Sequence, residues 1–358
     1  MSRPRLVLVG PGLANLQALA RLGERAEVTL VSEGDHHTYS GMLPGVLVGQ
    51  RDAEAASIDL AALCARSGAR LEPSGAQRLD LEGRIVELRD GRRVPFDVLS
   101  VNIGAGQRGD GLPGVRQHAI SLKPMFPASH LLLAAEGPLV IAGGGVAAVE
   151  LALVLKHRTK APTTLVTSAD VLPRAGPALA AAALRELEQA GVTVLTQRRV
   201  VGAEPNTALL DDGSRLAFGT LVWATGPKAA AILRGSSAAV DEAGYLRVAS
   251  TLQSTSHPAV FGAGDCVSID HHEGLEKAGV FSIRQGPTLV ENLTAALAGR
   301  PPSQRYEPTL RPLQLLNLGD GRALGTWHGH VFSGRAAFWL KEFIDRRWIR
   351  QYRAVERR

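Results

Sequence analysis

Two glycine clusters in this 358-residue chain stand where a backbone could hold a phosphate. The first is Gly10-Pro11-Gly12, between the apolar run Leu6 to Val9 and a helical pattern through Leu16, Leu19 and Leu22. The second is Gly143-Gly144-Gly145, between Leu139 to Ala142 and a helical pattern carrying Ala148 and Glu150. Glycine lets the backbone approach a pyrophosphate, and a helix N-terminus offers free N–H groups and a positive dipole end. A carboxylate one strand later can accept from a ribose, and Glu33 follows the strand Glu27 to Val31. Asp265 ends a further strand and glycine turn, Pro258 to Asp265, and suits a sugar-like hydroxyl. Asn15 occupies the third small position of the first cradle, where Gly or Ala is expected. A strand, glycine turn and helix also occur with no nucleotide bound, so one cradle alone decides little.

Other reactive residue types point to less. His36-His37, His271-His272 and His328-x-His330 have no Cys or carboxylate at ligand spacing, and adjacent histidines point apart. No metal site is expected. Cys64 and Cys266 are far apart, which argues against a redox dithiol and for a reducing compartment. Cys266, next to Asp265, reads as a small core thiol.

The elements that position these residues repeat. A helix over 57 to 68 stops at Gly68, and short strands from Leu71 to Val94 turn at Asp90-Gly91. Phe96 to Gly104 is a strand ending in glycine. The second cradle is followed by a strand at Thr163 to Val166, a helix over about 178 to 190 ending at Gly191, the turn Asp212-Gly213, and the strand Phe218 to Gly226. Gly68 and Gly191, Asp90 and Asp212, Phe96 and Phe218, and Gly104 and Gly226 are each 122 or 123 residues apart. Two nucleotide-binding units of one design are expected. Gly10 and Gly143 are 133 apart, so the first copy carries an added segment that contains Tyr39 to Pro44. An added loop after the ribose-side strand is a place to look for function.

Apolar residues make up 45% of the chain and the net charge is +6, consistent with packed domains and an anionic ligand or surface. No zinc finger, RNA-binding aromatic motif or basic recognition helix appears, so nucleic acid is not expected. The first strand leaves no room for a signal peptide, and Leu139 to Leu155 is too interrupted by glycine for a membrane span. The tail from Phe332 to Arg358 sets Phe338, Trp339, Leu340, Phe343, Ile344, Trp348, Ile349 and Tyr352 among arginines. Two readings stand: a helix packed on the body with arginine stems along its edge, or a basic amphipathic helix on an anionic membrane.

These residues resemble the two-dinucleotide-binding-domain flavoproteins of the pyridine nucleotide-disulfide oxidoreductase superfamily. The resemblance rests on Gly10 and Gly12, on Gly143, Gly145, Ala148 and Glu150, on Ala224-Thr225-Gly226, and on Gly262-Ala263-Gly264-Asp265. Tyr39 to Gly45, Lys277-Ala278-Gly279, Arg284 to Pro287 and Lys341 to Tyr352 look closest to the type II NADH dehydrogenase-like branch, in a subgroup often joined to selenide, water dikinase.

The implied fold is α/β. Two Rossmann-like, three-layer ββα dinucleotide-binding domains are expected, the second inserted in the first, plus a C-terminal segment with an amphipathic helix. The implied boundaries are 1–107 and 239–325 for FAD, 108–238 for NAD(P)H and 326–358 for the tail. Gly10, Gly12, Asn15, Glu33, Met42, Leu43, Pro44, Gly104, Asp265, Lys277 and Gln285 would serve FAD. Gly143, Gly145, Ala148, Glu150, Thr167 and Gly226 would serve NADH or NADPH. Glu150 and Pro44 are the catalytic candidates. Asn102-Ile103-Gly104 stands in place of the usual Ala-Thr-Gly, and Thr167-Ser168 in place of an acidic residue, so the choice of NADH or NADPH stays open.

The implied activity is hydride transfer from NAD(P)H to FAD and onward to an acceptor, quinone first, without proton pumping. Two further readings are a soluble flavoprotein reductase linked to selenium or sulfur metabolism, and a flavin-binding redox sensor or docking protein with little turnover. Expected partners are the small-molecule acceptor, an anionic membrane surface met by the tail helix, and a second copy of the chain. The expected location is the cytoplasm, peripheral on the inner face of the cell membrane.

Overall fold

Two five-stranded parallel sheets organise the chain; the computed structural model describes residues 3–309 and 312–353. The first runs, in spatial order, Val260–Gly262, Val98–Val101, Arg5–Val9, Glu27–Val31 and Arg70–Glu72. The second runs Ala119–Ser121, Thr220–Trp223, Leu139–Ala142, Thr163–Val166 and Val192–Leu195. Central strands of such sheets are covered on both faces, which is why they read as apolar runs. Val98–Val101, Leu139–Ala142 and Thr220–Trp223 are buried at every position.

The repeat is carried into the geometry. Each cradle strand takes third place in its sheet, between the strand that follows it and the strand that closes the unit. Each unit carries a three-stranded antiparallel sheet, Ala76–Asp80, Ile85–Leu88 and Arg93–Pro95 in one, Val200–Glu204, Thr207–Leu210 and Arg215–Ala217 in the other. Even the register irregularity recurs, at Ala76/Arg78 and at Val200/Gly202. The edge strands differ in origin: Ala119–Ser121 precedes its unit, whereas Val260–Gly262 comes from beyond the insertion and completes the first sheet. Where the chain enters and leaves the second unit, Gly106–Gln107 pairs antiparallel with Pro227–Lys228.

Three local expectations change. Residues 57 to 68 do not form one helix: Ser57–Asp59 pairs with His36–Thr38, and the helix is Leu60–Arg66. Asp59 starts it by accepting the Ala62 N–H at 2.8 Å, a side-chain N-cap. The added segment is not an open loop but a 3-10 turn, Ser40–Met42, and a short helix, Leu43–Leu47. Its apolar side chains explain this, since Leu43 and Leu47 leave the first unit and bury in the core of the second. The C-terminal sheet opens at Gln314, ahead of 326, with Gln314–Asn317, Ala323–Trp327 and His330–Gly334, and leads into the helix Arg335–Ile349.

The tail helix is docked along one face. Trp348 stacks on Tyr39 with ring centroids 4.5 Å apart, and Tyr352 lies 4.8 Å from Trp348. The Tyr39 hydroxyl donates to Asp345 at 3.0 Å, and Lys341 donates to the Gly41 carbonyl and to Asp345 at 2.7 and 2.9 Å. Arg51 pairs with Glu342. Arg357 and Arg358 of the basic tail lie outside the described residues. Tyr39→Phe should lower unfolding free energy by about 1 kcal/mol, and Trp348→Ala by about 3 kcal/mol or more, both read from urea unfolding midpoints.

Candidate functional site

The site grows from the carboxyl ends of the two cradle strands. Gly10 has φ +87°, and a Cβ there would stand 2.6 Å from the Asn102 carbonyl oxygen. A Cβ on Gly12 would meet the Asn102 side chain at 2.3 Å. Only glycine fits either place. In the second unit Gly143 has φ +138°, and its Cβ would stand 2.2 Å from the Ala224 carbonyl oxygen. Gly145 opens its helix with nothing within 4 Å of a Cβ.

The donors at the two helix starts differ. The N–H groups of Gly144, Gly145, Val146, Ala147 and Ala148 make no hydrogen bond among the described residues. In the first cradle Pro11 has no N–H, Gly12 N donates to the Asn102 carbonyl at 3.1 Å, and Leu13 N has no partner among the described residues. Ala14 N and Asn15 N both donate to Asn102 Oδ1, at 3.0 and 3.2 Å. Asn102 was not among the expected site residues. Its departure from Ala-Thr-Gly was the only signal for it.

Asn15 is fully buried. Its Nδ2 donates to the carbonyls of Gly10 and Val9 at 2.9 and 3.2 Å, and its Oδ1 accepts the Ser100 hydroxyl at 2.7 Å. A buried amide with its groups satisfied thus replaces the small residue at the helix–strand contact. Glu33 stands just past the end of its strand, paired with Arg89 at 2.5 Å. Gly104, with φ +69°, has open space around a Cβ.

On the far side of the first cradle, Asp265 follows the turn Ala263–Gly264. The Gly264 N–H donates to Gln285 Oε1 at 2.5 Å. Lys277 donates to the Val267 carbonyl and sits 4.3 Å from the centre of the Tyr245 ring. Asp265 makes no side-chain hydrogen bond among the described residues, and it lines a recess with Lys277, Phe281 and Gln285. Burial raises its carboxyl above the ordinary range, opposed by the charges of Lys123 and Lys277. Burial pushes both cysteine thiols up to about 11, so neither is a ready thiolate.

Pro44 and Glu150 come together because the helix Leu43–Leu47 packs on the second cradle helix, Val146–Thr159. Met42 and Leu43 are buried at that joint. Glu150 accepts the Asn317 N–H at 2.7 Å, and burial raises its carboxyl while the Lys341 charge opposes the rise. Thr167 is buried; its hydroxyl accepts the Ala169 N–H at 3.4 Å and crowds Gly144. The Gly226 carbonyl accepts the Arg108 N–H at 2.8 Å. A groove of about 690 Å³ between the first antiparallel sheet and Ala231–Gly235 includes none of these residues. Among the described residues no group of His, Cys, Asp or Glu is placed to hold a metal ion.

These residues fit two dinucleotides. The first cradle offers glycines with no room for a side chain, a free Leu13 N–H, and an unpartnered carboxylate at Asp265. The second offers a run of free N–H groups. Comparisons with known proteins agree: the family model described as pyridine nucleotide-disulphide oxidoreductase matches residues 4–294. A type II NADH:quinone oxidoreductase of Haemophilus influenzae is 25% identical over 331 residues, 75% of this chain and 74% of that protein. One from Staphylococcus aureus is 22% identical over 387 residues, 97% of this chain and 95% of that protein. The sulfide:quinone oxidoreductase of Aquifex aeolicus shares the fold, with a TM-score of 0.79 at 17% identity over 98% of this chain and 91% of that one.

His37 gives a test of the joint between the units. Burial, with the Lys123 charge, brings its imidazole from 6.5 down to about 4. The neutral form is favoured in the folded state, so stability is lost as pH falls from about 6.5 toward 4. His37→Asn should flatten that decline, measured as the difference between variant and wild-type unfolding midpoints across this window.

Proposed function

We propose that this chain, which belongs to the pyridine nucleotide-disulphide oxidoreductase family and is an FAD- and NAD(P)H-dependent oxidoreductase, passes electrons to a quinone. The observation that carries the reading is the pair of unlike glycine cradles, one at the end of each parallel sheet's central strand, in a chain whose two buried cysteines, pushed up to about 11, offer no ready thiolate to relay electrons. Bound FAD supplies the hydride-accepting and electron-donating chemistry. Gly10, Gly12 and Leu13 would hold its pyrophosphate, and Asp265 its sugar-like chain. Gly143, Gly145 and the free N–H groups after them would hold the nicotinamide dinucleotide. Leu43, Pro44 and Met42 would wall the joint against water. Glu150, whose carboxyl burial raises and the Lys341 charge opposes, would line the nicotinamide side. The quinone acceptor is also what the names of the Haemophilus influenzae and Staphylococcus aureus relatives state for those proteins.

A surface approach to a membrane has its own support. The face of the tail helix opposite Tyr39 leaves Trp339 60% and Phe343 63% exposed, with Leu340 and Ile344 beside them. Trp327, 58% exposed, lies on the neighbouring sheet. Arg346 and Arg347 border the helix's last turn. Apolar and aromatic side chains rimmed by arginine suit an anionic lipid interface. No helix among the described residues is long and apolar enough to cross a membrane. The docked face accounts for the first reading of the tail, and the exposed face supports the second.

Anaerobic NADH or NADPH should bleach the flavin absorbance of the purified protein, and a short-chain quinone should restore it. A flavin that is reduced but not reoxidised by quinone would overturn the acceptor. Trp339→Ser with Phe343→Ser should lower binding to anionic vesicles at least tenfold, in a co-sedimentation assay, with quinone reduction in solution unchanged. Equal binding by the double variant would overturn the membrane contact.

A further inference from the structure

Asn102 joins three pieces of the chain that a flavin dinucleotide would have to touch. It ends the run that begins as the strand Val98–Val101. Its carbonyl oxygen accepts from Gly12 N, and its Oδ1 accepts from Ala14 N and Asn15 N at the start of the first cradle helix. Its Nδ2 donates to the Ala263 carbonyl at 2.6 Å, in the turn that carries Asp265. The Ser282 hydroxyl, on the helix Gly279–Leu297, lies 3.5 Å from Oδ1. Asn102 is 2% exposed. The pieces are packed closely around it: a Cβ on Gly12 would stand 2.3 Å from its Oδ1, and one on Gly264 2.4 Å from its Nδ2.

We propose that Asn102 is the positioning residue of the flavin site, bolting the pyrophosphate cradle to the Asp265 turn through the two ends of one amide. The proposal rests on the reading that the first unit holds FAD. The argument is one of geometry. A dinucleotide spans from the helix start to the carboxylate, and its binding depends on the distance between them. An amide with its oxygen on one piece and its nitrogen on the other sets that distance before the ligand arrives. Binding then avoids the cost of ordering the two pieces. A neutral amide oxygen also satisfies two first-turn N–H groups while leaving Leu13 N and the positive helix end to the ligand. The second unit has Ala224 in the matching place, with no side chain to do this, and its first-turn N–H groups stand open.

The test compares flavin-free wild type with Asn102→Ala and Asn102→Asp. Equilibrium titration with FAD should show about tenfold weaker binding for Asn102→Ala, from the loss of the three side-chain bonds. Asn102→Asp keeps the acceptor for Ala14 N and Asn15 N, loses the donor to Ala263, and brings a charge against the pyrophosphate. It should bind FAD more weakly than Asn102→Ala. Thermal stabilisation by NAD+ or NADP+, through the second cradle, should be unchanged in both. A merely structural role would lower the unfolding midpoints and leave FAD affinity within twofold of wild type, which would overturn the proposal.

Should either variant fail to fold, hydrogen exchange on the flavin-free wild type decides. The Ala14 and Asn15 amides should be protected before FAD is added and gain nothing on its addition. Free exchange without FAD would overturn the proposal. A wild type that takes up no FAD would sink the flavin reading itself, whatever the protection at Ala14 and Asn15.

Discussion

A single backbone carbonyl governs each half of this molecule. The strand beside the cradle strand ends with its C=O pressed against the first cradle glycine: Asn102 against Gly10, Ala224 against Gly143. Any side chain on those glycines would overlap that oxygen. Parallel pairing explains why it lies there, since Val98–Val101 and Thr220–Trp223 run alongside the cradle strands in matching register. The chain must then turn sharply over the end of its own neighbour, and the turn aims the next helix's N-terminus back across the sheet edge. In open parallel sheets ligands bind at this carboxyl edge. The position of both cradles thus follows from sheet pairing and one close contact repeated, before any side chain is considered.

That backbone logic was legible in the sequence because it is written in residue types that little else tolerates. Paired glycines, apolar four-residue runs and turns such as Asp90-Gly91 recur in the same order, the turns at an offset of 122 and the cradles at 133, and the sheets reproduce that order. Side-chain partnerships were not legible, because they join residues far apart in the chain. Asn15 looked like a flaw in the cradle; it bonds instead to Gly10, Val9 and Ser100, the last 85 positions away. Asn102 looked like a deviation from Ala-Thr-Gly, and its partners lie at 14, 15 and 263. The added segment was located from the repeat, but its helix was not, because five residues carry too little periodicity. Its fold depends on burying Leu43 and Leu47 in the other unit.

The contact between the tail helix and the added segment is built on buried charge beside the apolar joint made by Leu43 and Leu47. Lys341, Asp345, Glu342 and Arg51 are all nearly enclosed, and Glu150, Asn317 and Gln50 extend the set into the second unit. Buried ion pairs are weak sources of net stability, since desolvation offsets most of the attraction. Their effect is on arrangement. Lys341 bonds to both Gly41 and Asp345, while Asp345 also accepts from Tyr39. A slip of the tail helix by one turn would leave these charges buried without partners, which costs far more than the contacts gain. The tail is therefore held in one register on the segment that walls the joint. Its aromatic outer face is held with it.

The two cradles, built alike, present different amounts of unsatisfied backbone. In the second unit five consecutive N–H groups have no partner among the described residues, and water can satisfy them. In the first, the protein answers most of these groups itself through Asn102, and among the described residues only Leu13 N is left without a partner. A cradle satisfied from within keeps its shape whether or not it is filled, and binds what matches that shape with little reorganisation. Part of the difference traces to Asn102, in the place of Ala224: its longer side chain takes Ala14 N and Asn15 N and reaches the Asp265 turn. Pro11, which has no N–H, and the bond from Gly12 N to the Asn102 carbonyl make up the rest.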